Sequence, residues 1–137
     1  MNANLFIAIS SGIILLLGLV HLAYTFSGSK LTPRDAALEA SMKRVSPVIT
    51  KETTMWKSWV GFNASHSLGA ILFGLIYGYL ALLHAEFLFE SYFLLIVGWS
   101  LLASFAVLGK LYWFSIPFRG ISIAFACYCA ALIINFT

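Results

Sequence analysis

A chain of 137 residues that is 61% hydrophobic and 9% charged lies far from the globular balance of about 25% charged residues, which excludes an ordinary water-soluble domain and indicates a membrane protein. Its formal charge of +3 does not point to nucleic acid, because all eight Lys and Arg are confined to two connections between apolar runs. No charged residue occurs from Met1 to Ser29, from Ser58 to Ala85, from Ser91 to Gly109, or after Arg119. Each of the four runs so defined is close to the roughly 20 residues that cross a hydrocarbon core of about 30 Å. The expected fold is all-α: one transmembrane domain over 1–137, four membrane-spanning helices in an antiparallel bundle, and a short amphipathic helix.

The first span is expected over about 4–26, ending at the turn-forming Ser27-Gly28-Ser29. With no basic residue ahead of it and no small-residue cleavage site, it reads as a retained span rather than a removed signal peptide. His21 is its one ionisable side chain, about 7 Å from the end of the span at 1.5 Å per residue. The connection that follows carries a helix signal of its own. Thr32-Pro33-Arg34-Asp35 offers a cap, a proline at the first helical position and an acidic residue three after the cap, and Leu38, Met42 and Val45 then recur at helical spacing. A short amphipathic helix over about 33–45 is expected, resting on lipid headgroups or covering the end of the bundle. Ser46-Pro47 is a second start signal, so the second helix is expected to begin before the membrane.

The second span, about 59–83, follows Trp56, Lys57 and Trp59, an interfacial belt and anchor. Gly61, Ser65 and Gly69, and again Gly74 and Gly78, put small residues at every fourth position, a pattern that lets helices approach closely. Its outer end, with His84, Glu86 and Glu90, reads as a solvated connection. The third span is expected over about 89–108 and the fourth over about 117–136, starting near Pro117. Cys127 and Cys129, two apart in the fourth span, point in nearly opposite directions on a helix and cannot bridge each other.

Six of the basic residues lie between spans one and two, and Lys110 and Arg119 between spans three and four. The positive-inside rule makes 27–58 and 109–117 cytoplasmic and leaves both termini outside, in a cell inner membrane crossed four times.

Polar groups within spans mark the candidate site, since each must find a partner or water in a medium that offers none. His66 falls roughly 10 Å inside the boundary at Trp59, level with His21 on the antiparallel neighbour. Asn63 and Ser67 are four apart on one stripe beside it, and Arg119 and Lys110 can reach the same layer from the other pair of spans. His21, Asn63, His66, Ser67 and Arg119 are therefore the candidate ligand-binding residues; no catalytic residue is assigned. A zinc or copper site needs three or four ligands, and the span interiors offer two buried histidines, badly placed cysteines and no carboxylate, so no metal site is expected. Two imidazoles across a gap lined by small residues permit bis-histidine haem without demanding it. A donor-rich pocket near one interface with an apolar slot below suits a lipid, a quinone-like molecule or another amphiphile. Histidine, asparagine and serine in membrane bundles also bond across helices simply to fix which faces meet.

The stretch W-x-x-W-x-G-F-N-x-S-H-x-x-G from Trp56 to Gly69, with Thr50-Lys51-Glu52-Thr53-Thr54 before it and the segment from Gly18 to Phe26, resembles a group of short bacterial membrane proteins with four predicted spans. The resemblance implies the four-span topology and supplies no reaction and no site residue. The sequence is best read as a non-enzymatic accessory or binding bundle in the lipid bilayer. It would recognise a membrane-protein partner, a second copy or a small amphiphile through the polar layer, with no nucleic acid involved. The rival is an intramembrane enzyme or a haem- or quinone-type redox protein using His21 and His66, with Asn63 orienting the imidazole.

Overall fold

The computed structural model describes residues 2–137, and among these every regular element is a helix: α1 (Ala3–Phe26), α2 (Ala36–Arg44), α3 (Met55–Leu83), α4 (Ala85–Glu90), α5 (Tyr92–Tyr112) and α6 (Ser115–Phe136). Four of them, α1, α3, α5 and α6, are long and apolar enough to cross a membrane. The shortest, α5 with 21 residues, extends about 32 Å at 1.5 Å per residue, enough to span a hydrocarbon core. Large apolar side chains such as Leu16, Phe62, Phe93 and Ile123 are exposed along these helices, as expected where the solvent is acyl chain rather than water.

Two compact units divide the chain, one of 1–17 with 70–137 and one of 18–69. In the first, α1 and α3 run antiparallel at close range. A methyl group on Gly74 would lie 2.5 Å from Leu15 Cβ and 2.8 Å from the Ser11 carbonyl, and one on Gly78 would lie 3.6 Å from Ser11 Cβ. The α5–α6 hairpin is joined by ring pairs along its length: Tyr92 stacks on Phe136 with centroids 6.0 Å apart, and Trp99 meets Phe125 at 5.6 Å.

The centre of this unit is a pair of tyrosines bonded to backbone. Tyr77 Oη–H donates to the Leu94 carbonyl at 2.6 Å, and Tyr128 Oη–H donates to the Leu95 carbonyl at 3.1 Å. Both rings lie over Gly98, where a Cβ would run into them. The missing side chain is what lets two phenols from α3 and α6 reach adjacent carbonyls on α5. Ile7, Ile14, Leu88, Leu102 and Ala124 pack around them, each at most 1% exposed.

Several boundaries differ from the sequence expectations. The amphipathic helix is α2, nine residues long, rather than 33–45. Asp35 caps it, accepting from the Ala37 N–H at 2.8 Å, while the Thr32 hydroxyl donates to the Ser29 carbonyl at 2.9 Å and so closes the preceding turn. A carboxylate is at least as good a cap as a threonine, and the local bond removes Thr32 from competition. Ser46-Pro47 starts no helix: 46–54 is a loop, and Thr54 caps α3 by accepting from the Lys57 N–H at 3.3 Å. The connection after α3 contains the helix α4, whose Leu88 is fully buried, and the third span begins at Tyr92 rather than 89 because Ser91 accepts from the Leu94 N–H at 3.3 Å. Pro117 sits in the first turn of α6, where its missing N–H leaves no gap. Cys127 and Cys129 are free thiols.

The two small-residue ridges of α3 also fare differently. Gly74 and Gly78 take the contact with α1, whereas a Cβ at Gly61 or Gly69 meets nothing within 4 Å and Ser65 is exposed. Gly74→Ala should therefore destabilise the fold in detergent by about 1–3 kcal/mol through overpacking against backbone. Gly61→Ala should be neutral or stabilise by roughly 0.5–1 kcal/mol through helix propensity. Thermal unfolding of the two variants beside the parent protein checks the contrast.

Candidate functional site

The unit of 18–69 holds the polar layer. Asn63, 8% exposed, lies two turns inside α3 and organises its neighbours through three bonds. Its Nδ2–H donates to the Trp59 carbonyl at 2.8 Å, its Oδ1 faces His21 Nε2 at 3.0 Å, and its own carbonyl accepts from the Ser67 hydroxyl at 2.8 Å. Because the Trp59 carbonyl can only accept, the amide orientation is fixed and Oδ1 is left to accept in turn. His21 Nε2 must then carry the proton and donate to it. Asn63 therefore bonds His21 on the facing helix.

His66 and His21 meet edge to face, with ring centroids 5.5 Å apart and planes at 87°. The two imidazoles do stand at one level, as counting from the span ends indicates. Their arrangement differs from two axial ligands of a haem, which face each other across an open slot: here the rings touch directly and Nε2 of His21 is engaged by Asn63. Ser67 is fully buried, with its hydroxyl turned back on its own helix, so it contributes small volume more than a free donor. Arg119 belongs to the other unit, exposed in α6. Lys110, in the same unit, holds its ammonium over the Phe118 ring at 5.6 Å. Among the described residues no group of three or more His, Cys, Asp or Glu is placed to hold a metal ion.

Next to Asn63 a half-open cleft of about 280 Å³ enters the unit. Tyr24, Phe26, Trp56 and Trp59 supply aromatic walls, and Thr25, Thr32 and Asn63 supply polar atoms. Trp59 is held in place by its indole N–H, which donates to the Leu31 carbonyl at 3.0 Å. The Thr25 hydroxyl donates to the His21 carbonyl at 2.8 Å. Gly28, at φ 81°, turns the chain at the end of α1 in a conformation that favours glycine, and so brings Leu31 and Thr32 back to the cleft mouth.

Sequence reasoning singled out Asn63 and both histidines but treated Trp56 and Trp59 only as belt residues. Their second role as cleft walls depends on the return of 28–32, which no spacing in the sequence announces. No family model, curated protein or solved structure matches the chain.

The His21–Asn63 bond should show in a double-mutant cycle with His21→Leu and Asn63→Leu. Inter-helical bonds of this kind in bilayers couple by about 0.6 kcal/mol on average and up to about 1.7 kcal/mol. A coupling in that range, read from unfolding in detergent, is expected. Selective ¹⁵N labelling of histidine should show His21 protonated at Nε2 in the parent protein and released from that tautomer in Asn63→Leu.

Proposed function

We propose that this small membrane protein is a non-enzymatic binding bundle whose polar layer seats the head of a small amphiphile, a lipid or a quinone-like molecule. The observation that carries the reading is the cleft beside Asn63. It is lined by aromatic rings and a few fixed polar groups, the composition typical of small-molecule sites, and its volume of about 280 Å³ suits a headgroup. Asn63 Nδ2 has two N–H groups and uses one on the Trp59 carbonyl, so the second can donate to a carbonyl, ester or phosphoryl oxygen of the guest. The tail would leave among the exposed apolar side chains of α1 and α3.

A second reading, recognition of a membrane-protein partner or a second copy, draws on the exposed Gly61, Ser65, Gly69 ridge of α3, which is free for close helix contact. The orientation proposed for both places 27–58 and 109–117 on the cytoplasmic side of an inner membrane, following the basic residues. Kinship with short bacterial four-span proteins belongs to the same proposal.

Protein purified in mild detergent and extracted into organic solvent should yield a stoichiometric amphiphile by mass spectrometry. His66→Ala and Asn63→Leu should lose it while keeping the helical signal in circular dichroism. A preparation that retains no small molecule argues against the ligand reading, and a visible absorption band that vanishes in His66→Ala would favour the redox alternative.

Orientation is tested separately in a background lacking Cys127 and Cys129. A cysteine at Lys43 should resist a membrane-impermeant thiol reagent in intact cells, and one at Glu86 should react; the reverse pattern overturns the topology.

A further inference from the structure

The loop 46–54 carries the most exposed apolar side chains among the described residues. Val48 is 108% exposed and Ile49 92%, against 75% for Tyr112, the highest among the hydrophobic side chains of the four long helices. The loop is not slack. Its base is closed by the Met55 N–H donating to the Val45 carbonyl at 2.8 Å, and its tip by the Thr50 N–H donating to the Pro47 carbonyl at 3.3 Å. The Thr50 hydroxyl accepts from the Glu52 N–H at 3.1 Å. Val48 and Ile49 are thus the two corner residues of a β-turn, positions where Gly, Asn, Asp and Ser normally serve. Two β-branched hydrocarbons there oppose both turn preference and water, a local conflict of the kind that marks function.

Charge indicates the occupant. Between Lys43 and Lys57 the sequence has four basic residues, Lys43, Arg44, Lys51 and Lys57, and one acidic residue, Glu52. Arg44 and Lys51 flank the tip on either side. The loop feeds directly into α3, whose first turn carries Trp56 beneath the Lys43 ammonium at 5.2 Å, an aromatic and basic pairing suited to the headgroup level.

We propose that the 46–51 turn is an anionic-lipid wedge: Val48 and Ile49 enter the headgroup–acyl boundary of the leaflet beside it while Arg44 and Lys51 pair with phosphate or carboxylate headgroups. The chemistry joins apolar insertion to attraction for anionic lipid, and neither part suffices alone. The wedge is independent of the cleft and of any guest bound there, so the two readings stand or fall separately.

The test uses the full chain with Cys127→Ala and Cys129→Ala and a nitroxide on a single cysteine at Val48 or Lys51. The protein is placed in vesicles of phosphatidylcholine with or without phosphatidylglycerol, and collisions with oxygen and with a water-soluble nickel chelate are measured by electron paramagnetic resonance. The label at Val48 should meet oxygen severalfold more often than nickel in the anionic vesicles. Its preference should drop in pure phosphatidylcholine or at high salt, and should vanish with Ile49→Asp, while helix content and detergent unfolding remain those of the parent. A label at Val48 as open to nickel as one at Lys51 in anionic vesicles overturns the proposal. So does a label at Val48 shielded from both reagents in detergent, which marks a protein cover such as a second copy.

Discussion

Hydrocarbon cannot answer a hydrogen bond, and that constraint governs each polar contact within the long helices of this protein. Once inside, every hydroxyl, amide and imidazole has to be met by the chain itself or by something held there. The tyrosine pair at Gly98 shows the constraint met from within: two phenols bond two adjacent carbonyls that already serve their own helix. A carbonyl has two lone pairs, so it can accept from its helix and from a neighbour at once. Three helices are pinned in this way at no cost in unsatisfied groups. Ser10 and Ser11 in α1 are the exception among the described residues, fully buried with hydroxyls that bond nothing. Ser11 is the residue against which Gly74 and Gly78 approach, so its small size serves that contact.

Much of this architecture was legible because it depends on composition over long windows. The absence of charge from four stretches defines four spans whatever their packing, and position along a helix sets depth, which is why His21 and His66 were expected at one level. What failed depended on competition over a few residues. Thr32 and Asp35 are both fair caps, and a local hydroxyl bond to Ser29 decided between them. Six residues of α4 are too few for a period to show, so its buried Leu88 was hidden among the acidic residues of a connection. The choice between two equally spaced small-residue ridges on α3 is a matter of register with α1. Spacing alone does not encode register, and only the Gly74 and Gly78 ridge makes the contact. The tyrosine bonds to Leu94 and Leu95 depended on rotamers and on one glycine in a third helix, which no pattern in a single span reveals.

The candidate site was half legible for the same reason. Asn63 stood out as an amide in an apolar run, but the sequence reading set it to orient the His66 imidazole, whereas its Oδ1 bonds His21 across the helix pair. The cleft walls were not foreseeable, because Trp59 reaches them only through a bond to Leu31, 28 residues earlier in the chain.

That bond gives the unit of 18–69 its particular character. Leu31, Trp59, Asn63 and His21 form a continuous series of hydrogen bonds from the loop at the cleft mouth to the imidazole pair, each link with a donor and acceptor assigned. A series of this kind fixes aromatic walls and an amide donor beside the cleft, and pre-placed groups lower the ordering cost that the proposed guest would meet. It also ties the cleft wall at Trp59 to the segment that follows the Gly28 turn, because the Trp59 indole N–H donates to the Leu31 carbonyl.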